Sequence, residues 1–356
     1  MHLLSTNHIT TAHVQLTDEI LEILSSALHK APLYRLAMMN TGLDSGGIQL
    51  LTSVVEENTH LCNFSLRKNE IREESDTLSL VEAVGKHPGI HICSLDECSI
   101  GDQLPTSPEI VHTLFRLEAV GLGGNEIGSK GAFLICECLA TNPSINFLDL
   151  DDNLFNDDDA LLFVTSLKSN TNLVDLSLRG NNFTSAGINT MYRSIFDDHS
   201  LSTVSDSNHT CELKLFDDGE PIPAGIDGEV ILMNDKHFES GELPESAREI
   251  FMMNADSDKG KAVTSLQVDG RKKIKMLHAL VGGTNEGNVN MKYLTDMPIE
   301  LLPEVLMFFQ DASKYSGTEE RNVDMLFQLV RSRPEWAWIS SVSNHLSKMH
   351  YLSLKD

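Results

Sequence analysis

Six aspartates crowd into the stretch LDLDDNLFNDDDALLF, which runs from Leu148 to Phe163, and carboxylates at this density could bind calcium. An EF-hand loop places its first three ligands at alternate positions, a glycine at the sixth position and a bidentate glutamate at the twelfth. Asp149, Asp151 and Asn153 match the first three ligands, but leucine stands at the sixth position and alanine at the twelfth. Because the bend and the bidentate ligand are missing, we expect no calcium site and no bound metal.

The spacing of other reactive residues also argues against catalysis. GGNEIGSK, from Gly123 to Lys130, resembles a phosphate-binding P-loop, but its lysine and serine are in the wrong order. The chain contains no H-E-x-x-H zinc motif, no G-x-S-x-G nucleophile elbow and no kinase signature. We therefore expect a protein that is not an enzyme and that has no cofactor.

The composition indicates a folded, strongly acidic protein. The chain has 52 acidic and 27 basic residues, a formal charge of −25, and 41% hydrophobic residues, which is enough for a core. This charge repels nucleic acids and anionic lipids, so we expect neither nucleic acid nor membrane as a partner and favour a basic protein. The chain lacks a signal-peptide pattern, a long apolar run and a C-x-x-C pair, which favours a cytoplasmic or nuclear protein with free thiols.

The aspartate stretch belongs to a repeat. INFLDLDDNLF, from Ile145, and LVDLSLRGNNF, from Leu173, both follow the pattern L-x-x-L-x-L-x-x-N-x-L and begin 28 residues apart. Further copies begin, the last one in degenerate form, at Leu33, Leu61, Ile90, Leu117 and Leu201. LLSTNHI, with Asn7 at the asparagine position, is a further partial copy. Such regular spacing predicts structural units that stack on one another to bury their apolar faces.

This pattern resembles the leucine-rich repeat family, in its ribonuclease-inhibitor type with about 28 residues per repeat. The same type occurs in Ran GTPase-activating proteins and NOD-like receptors, and the chain as a whole is most similar to uncharacterised algal proteins of this type. The resemblance covers Leu33 to Cys211. It implies an α/β solenoid, shaped as a horseshoe, with parallel strands inside and helices outside. In each repeat the asparagine, such as Asn153, would satisfy backbone groups between neighbouring turns.

Each strand is followed by a segment that predicts an amphipathic helix. In DALLFVTSLKSN the sequence predicts that one stripe of the helix carries Leu161, Leu162, Val164, Thr165 and Leu167. In GAFLICECLATN the predicted stripe includes Phe133. The three aspartates from Asp157 to Asp159 stand where the first of these helices should begin, where they can complement the helix dipole and cap free N–H groups.

The sequence predicts four regions. Residues 1–32 form an N-terminal cap with a partial repeat, and residues 33–211 form about seven leucine-rich repeats. Residues 212–245, rich in glycine, proline and aspartate, read as an irregular linker. Residues 246–356 contain helical patterns and are expected to cover the apolar edge of the last repeat as a helical cap or to form a separate domain.

The candidate binding residues lie on the concave face that the resemblance implies. This face is basic early in the array, has small side chains in its middle, and is acidic late, beside an exposed phenylalanine. We expect it to contact a partner through Arg35, Arg67, Lys68, Asp96, Phe147, Asp149, Asp151, Asp152, Asp175 and Arg179. The alternative is that these are only solvated polar positions of an acidic protein.

We therefore expect a non-catalytic scaffold that binds a protein on its concave face. One alternative is a regulator of a small GTPase, like Ran GTPase-activating proteins, but their acidic tail is missing here and their catalytic residues have no match in this sequence. The other is an inhibitor of a basic enzyme such as a ribonuclease, which the negative charge would suit. The sequence does not identify the partner, the pathway or the oligomeric state.

Overall fold

A computed structural model of the chain describes residues 8–17, 20–21, 23, 28–29, 32–197, 206–216 and 224–226. Eight parallel strands in this part of the chain form one sheet, in the order of the sequence. The strands are β1 (His8–Ala12), β2 (Arg35–Met39), β3 (Asn63–Arg67), β4 (Ile92–Ser94), β5 (Ala119–Gly121), β6 (Phe147–Asp149), β7 (Asp175–Ser177) and β8 (Glu212–Lys214). A sheet whose neighbours are also neighbours in sequence is the arrangement that stacked leucine-rich repeats produce.

One helix follows each of the strands β2 to β7 among the described residues. The helices are α1 (Ser45–Glu57), α2 (Glu74–Lys86), α3 (Glu109–Leu114), α4 (Ser129–Ala140), α5 (Asp157–Ser169) and α6 (Ser185–Ile195). Parallel strands need such a crossover, because the chain must return to the same end of the sheet before it can form the next strand.

The core follows from the alternation of side chains along each strand. In β6, Leu148 is 2% exposed, whereas Phe147 on the opposite side of the strand is 45% exposed. The strand pairing places the buried residue of each strand beside its equivalent, in a row of Leu36, Phe64, Cys93, Val120, Leu148, Leu176 and Leu213. This row buries apolar surface at every turn, so each repeat depends on its neighbours for stability.

Asparagine side chains hold neighbouring turns together, as the repeat pattern predicts. The Asn153 amide donates to the carbonyl oxygens of Leu122, Leu150 and Asp151 at 3.0–3.2 Å. Its Oδ1 accepts from the backbone N–H groups of Asn125 and Ile127 at 3.1 and 3.0 Å. The same position is filled by Asn69, Asn125 and Asn181, and we call this series the asparagine ladder.

Two turns use other residues at the ladder position. Thr41 donates through its backbone N–H and its hydroxyl to Asn69 Oδ1, both at 2.9 Å. Cys98 donates its thiol to the Leu66 carbonyl at 2.5 Å, and its own backbone N–H donates to Asn125 Oδ1 at 2.9 Å. The thiol supplies the donor that the asparagine amide would supply, and its sulfur accepts from the Asn69 backbone N–H, but sulfur is a weaker acceptor than an amide oxygen.

The residue before each ladder position adopts a left-handed backbone conformation. The positive φ angles fall between 49° and 65° at Asn40, Lys68, Glu97, Gly124, Asp152 and Gly180. Left-handed φ is costly for most residues and is tolerated best by glycine and asparagine. Lysine and glutamate at this position therefore show that the turn is imposed by the strand and ladder hydrogen bonds around it.

The aspartates of α5 lie where the sequence analysis expects them, at the beginning of a helix. Asn156 caps α5, and the Asp159 carboxylate accepts from the Asn156 backbone N–H at 3.0 Å, which completes a capping box. Asp159 is buried and also accepts from Ser129 Oγ at 3.1 Å, and Asp157 accepts from the Thr184 backbone N–H at 2.8 Å. These carboxylates stabilise the helix and join it to the neighbouring turns.

The predicted apolar stripes of the helices are wrong in detail. In α5 the buried side chains include Ala160, Phe163 and Leu167, whereas Leu161 is 60% exposed. In α4, Phe133 is likewise 58% exposed. Residues 160, 163 and 167 lie three and four positions apart and share one face of a helix. The predicted stripe followed residue type rather than this spacing, and it therefore included the exposed Leu161.

The two ends of the sheet also differ from the predicted repeats. β8 pairs with β7 through Glu212 and Asp175, which are 37 residues apart, so the copy expected from Leu201 does not supply the next strand. The first residues of the predicted linker, 212–214, belong to the sheet instead. β1 pairs with β2 so that Ala12 lies beside Met39, and this register makes Val14, not Asn7, the equivalent of the ladder position Thr41. The other domain limits stay predictions, because residues 246–356, which were predicted to be helical, lie outside the described residues.

The chain divides into two compact units. The first contains residues Met1–Ser194 and Thr210–Gly228, and it holds the entire described sheet. The second contains Ile195–His209 and Glu229–Asp356. Of the second unit the structure describes only residues 195–197 and 206–209, where the Asp197 backbone N–H donates to Ser207 Oγ at 3.1 Å.

Candidate functional site

Residues at alternate positions along β4 to β7, and just beyond the ends of these strands, form three rows. Together we call these rows the strand face. The first row contains Ile92, Ala119, Phe147 and Asp175. The second row contains Ser94, Gly121, Asp149 and Ser177. The third row lies just beyond the strands and contains Asp96, Gly123, Asp151 and Arg179. The parallel register places residues from different repeats side by side.

A hollow of about 390 Å³ lies on the strand face. Its floor is β5, where Ala119 and Gly121 carry no side chain larger than a methyl group. Ile92 and Phe147 pair with Ala119 on either side of it, and they remain 41% and 45% exposed. Two exposed apolar side chains therefore border a space that the protein itself leaves unfilled.

The structure brings together six of the ten predicted binding residues. The residues that line the hollow are Asp96, Phe147, Asp149, Asp151, Asp175 and Arg179. Arg35 is exposed in β2, Arg67 and Lys68 are exposed at the end of β3, and Asp152 is exposed beyond β6; none of these four lines the hollow. The binding role of all ten residues stays a prediction.

Charges at the two ends of the strand face are compensated. Glu97 forms ion pairs with Arg67 at 3.4 Å and with Lys68 at 3.2 Å, so the predicted basic region is partly neutralised. At the other end, Lys214 Nζ lies 2.6 Å from the Asp175 carboxylate. Asp175 is therefore not part of the same uncompensated acidic patch as Asp149, although both line the hollow.

The centre of the hollow contains three carboxylates of a different kind, those of Asp96, Asp149 and Asp151. Burial raises the pKa of Asp149 above its ordinary value, and the nearby charge of Asp96 adds to this rise. Burial also raises the pKa of Asp151, with a further contribution from Asp149. A raised pKa means that the surroundings disfavour the charged form, because water is partly excluded and the carboxylates repel one another.

Two outward-facing residues of the hollow, Ile92 and Lys214, were not predicted from the sequence. Ile92 lies two positions before Ser94 in β4, where strand alternation alone places it on the strand face. Lys214 belongs to β8, whose signal is the alternation of Leu213 and Leu215 in CELKL. Ser177 is on the same face, but its burial depends on neighbouring turns and could not be predicted from its type.

No metal site is evident in the part of the chain that the structure describes. Over those residues, no group of three or more His, Cys, Asp or Glu side chains is arranged to hold a metal ion. The same residues include no helix that is long and apolar enough to cross a membrane. Cys93 lines the hollow but is buried, and burial raises the pKa of its thiol, so it is poorly suited to act as a nucleophile.

The chain has weak similarity to proteins with leucine-rich repeats, and no protein-family model matches it. It is 27% identical over 205 residues to the human "NACHT, LRR and PYD domains-containing protein 13". This match covers 55% of this chain and 19% of that protein. It is 29% identical over 144 residues to the bovine "NACHT, LRR and PYD domains-containing protein 3", covering 38% of this chain and 14% of the relative. The macaque protein of the same name is 28% identical over 128 residues, covering 35% and 12%.

The matched regions thus span less than a fifth of the length of these relatives. Together with the eight-stranded parallel sheet, the similarity indicates leucine-rich-repeat-like content in this chain. The relatives' names describe much larger proteins, whose activities do not transfer to a chain that matches only this part of them.

Proposed function

We propose that this chain is a non-catalytic module that binds a protein partner on the strand face. The observation that carries the proposal is the hollow over Ala119, bordered by the exposed Ile92 and Phe147 and by three carboxylates. Partly exposed aromatic side chains next to polar groups are frequent in protein interfaces, where they bury large apolar areas. The alternative of a merely solvated face does not explain why apolar side chains remain exposed around unfilled space.

The type of repeat supports the same proposal. Paired strands are 27–29 residues apart in the first six pairs, which fits repeats of the ribonuclease-inhibitor type. Such repeats expose one continuous surface of short strands, on which side chains can vary without disturbing the core. The six cysteines are free thiols, which fits a reducing compartment, and we therefore place the protein in the cytoplasm or the nucleus.

The charge favours one form of this function, the binding of a basic partner such as a basic enzyme that the module would inhibit. Asp96, Asp149 and Asp151 have no ion pair with any described residue, so a cationic partner would relieve their repulsion. Regulation of a small GTPase stays the other alternative, and the acidic charge of the hollow does not favour it in the same way.

The proposal can be tested with two matched substitutions. Ala119→Glu places a longer, charged side chain in the floor of the hollow, whereas Ala140→Glu makes the same change at an exposed position of α4. Proteins captured from native lysate by the wild-type chain should be lost with Ala119→Glu and retained with Ala140→Glu. A partner that both variants capture equally would show that binding occurs elsewhere, with the exposed Phe133 and Leu161 as the next candidates.

A further inference from the structure

Two glycines allow the central carboxylates to lie over β5. A Cβ atom at Gly121 would lie 2.6 Å from Asp96 Oδ1, and one at Gly123 would lie 3.5 Å from Asp149 Oδ1. Any larger residue at Gly121 would displace the Asp96 carboxylate, because real Cβ atoms do not approach oxygen so closely. The small residues of β5 therefore do more than leave space: they bring carboxylates from β4 and β6 toward one point.

These carboxylates keep most of their hydrogen-bonding capacity free. Asp96 accepts from Ser94 Oγ at 2.6 Å and from the Gly123 backbone N–H at 2.9 Å. Asp149 accepts from the Asp151 backbone N–H at 3.0 Å, and Asp151 accepts from that of Arg179 at 2.8 Å. An ionised carboxylate offers about four acceptor positions, so the three together can accept several more donors.

No basic side chain of the described residues lies within ion-pair distance of this group, although the charge of Arg179 acts to lower the pKa of Asp149 and Asp151, and that of Arg67 acts to lower the pKa of Asp149. Glu97 and Asp175 on the same face each have a lysine or arginine within ion-pair distance, but Asp96, Asp149 and Asp151 have none. The contrast matters because the chain supplies lysine or arginine partners to other carboxylates of nearby repeats. The central three are the exception within a face that is otherwise balanced.

A second polar group points to the same place. Ser177 pairs in register with Asp149 and is only 8% exposed. Its Oγ lies near the Asp151 carboxylate but completes no hydrogen bond of normal geometry with any described residue. Buried hydroxyl groups are almost always hydrogen bonded in folded proteins. Because the contact of Ser177 with the Asp151 carboxylate is a weak one, its hydroxyl belongs to the polar wall of the hollow and can also bond to an occupant.

The apolar side of the hollow restricts what this occupant is. Phe147 lies in the row next to Asp149, about 6.6 Å away along the strand, since two residues of a strand span that distance. Its ring is 45% exposed, and Ile92 stands opposite it across Ala119. An occupant that satisfies the carboxylates alone would leave this apolar surface in water.

We propose that the partner inserts an arginine side chain into the hollow, with an apolar residue two positions away in an extended segment. This inference rests on the proposed protein-binding function. The guanidinium would donate to Asp96, Asp149 and Asp151 beside the ring of Phe147, and the apolar residue would cover Ala119 between Ile92 and Phe147. Side chains two residues apart in an extended peptide have the same spacing as two rows of the strand face.

Arginine fits better than the other cations that proteins meet. A guanidinium carries five N–H donors in one plane, which suits several carboxylates at once, and its flat face stacks on aromatic rings. A lysine ammonium has three donors and stronger hydration, so it gains less from a partly buried site. A metal ion would need ligands in a compact geometry, and the carboxylates among the described residues do not provide it.

The experiment uses the full chain and two fluorescein-labelled pentapeptides, Ala-Leu-Ala-Arg-Ala and the same peptide with citrulline in place of arginine. Citrulline has nearly the same shape but no charge. At physiological ionic strength, fluorescence anisotropy should show that the arginine peptide binds at least about tenfold more tightly, as expected for a charge-assisted, multidentate contact.

Matched charge variants separate this site from general attraction to an acidic protein. Asp96→Asn with Asp149→Asn should reduce the ratio between the two peptides to near one. Glu137→Gln with Asp158→Asn removes the same total charge from exposed positions on α4 and α5, and it should leave the ratio unchanged. If both pairs reduce the ratio equally, the preference arises from long-range attraction and the arginine site is wrong.

Other results distinguish a failure of the inference from a failure of the proposed function. Equal binding of the two peptides to the wild-type chain would show that no guanidinium site exists, even if Ala119→Glu still abolishes capture of a protein partner and the proposed function stands. Self-association of the chain that disappears in the Asp96→Asn, Asp149→Asn variant would identify a second copy as the occupant. If the peptide binds through its arginine but a protein partner is lost only when a residue of the helices is substituted, the inference stands and only the proposed function is contradicted.

Discussion

Replacing Asn153 with alanine should destabilise the protein by an amount that follows from its hydrogen bonds. Asn153 is 3% exposed, and its side chain joins two neighbouring turns of the chain. The three carbonyl oxygens that accept from its amide each keep another donor: Leu122 and Leu150 accept from the neighbouring ladder asparagines at 2.9 and 3.0 Å, and Asp151 accepts from the Gly124 backbone N–H at 2.8 Å. The carbonyls therefore contribute little to the loss.

The loss comes from two backbone N–H groups, those of Asn125 and Ile127, which donate to Asn153 Oδ1. Both residues are fully buried, so water cannot replace the missing oxygen without opening the turn. A buried donor without a partner costs about 1–3 kcal/mol, so two of them should lower the free energy of unfolding by about 2–6 kcal/mol. That is a large fraction of the total stability of a typical domain, which is about 5–15 kcal/mol.

Urea unfolding followed by circular dichroism measures this difference directly. Asn182→Ala, at an exposed position next to the ladder, is the matched control and should change stability by no more than about 0.5 kcal/mol. Cys98→Asn should leave the protein at least as stable as the wild type, because it restores the amide oxygen that a thiol lacks. If Asn153→Ala unfolds at the wild-type urea concentration, the ladder hydrogen bonds do not hold the turns together.

Four further outcomes test other parts of the structure. Gly180→Ala should lower the melting temperature, since an L residue at φ +64° costs about 1–2 kcal/mol. Gly46→Ala, in the first turn of α1, should raise the melting temperature. If both substitutions shift the melting temperature in the same direction, the left-handed turn is contradicted. Asp149→Asn should stabilise the protein at pH 7. The folded state raises the pKa of Asp149, so the charged carboxylate costs stability above that pKa, and the stability gained by the substitution disappears as the pH falls below the ordinary value of 3.8. A gain in stability that is the same at low pH would show that charge is not the cause. Calorimetry with calcium should detect no saturable site tighter than about millimolar at Asp149 and Asp151, and a micromolar site would show that these aspartates bind metal. Iodoacetamide should alkylate Cys62 in the folded protein while the five buried cysteines react only after unfolding, which mass spectrometry of the labelled peptides would decide.

Much of the sheet could be predicted because repeats make the same structure several times. The L-x-L alternation and the ladder asparagine recur at each turn, so a weak signal in one copy is supported by the others. The prediction failed at the ends, where there is a neighbour on one side only. The spacing continued at Leu201, but the strand that pairs with β7 is Glu212–Lys214, which shows the alternation without the spacing.

The candidate site could be predicted only in part. Which positions face outward follows from the alternation of the strands, and this placed Phe147 and Asp149 together correctly. Whether a charge is compensated depends on side-chain reach between turns, so the pairing of Asp175 with Lys214 was not foreseen. The approach of Asp96 to Gly121 depends on the position of two neighbouring backbones and has no signal in either sequence segment.

The nearly constant distance in sequence between paired strands bears on how the sheet assembles. Closing a loop costs an entropy that grows only with the logarithm of its length, so the 37-residue connection before β8 costs about 0.2 kcal/mol more than a 28-residue one. The length of the connection therefore does not make one strand pair form much more readily than another. The order of assembly is left to local contacts, which are most complete where Asn125, Asn153 and Asn181 occupy three consecutive turns.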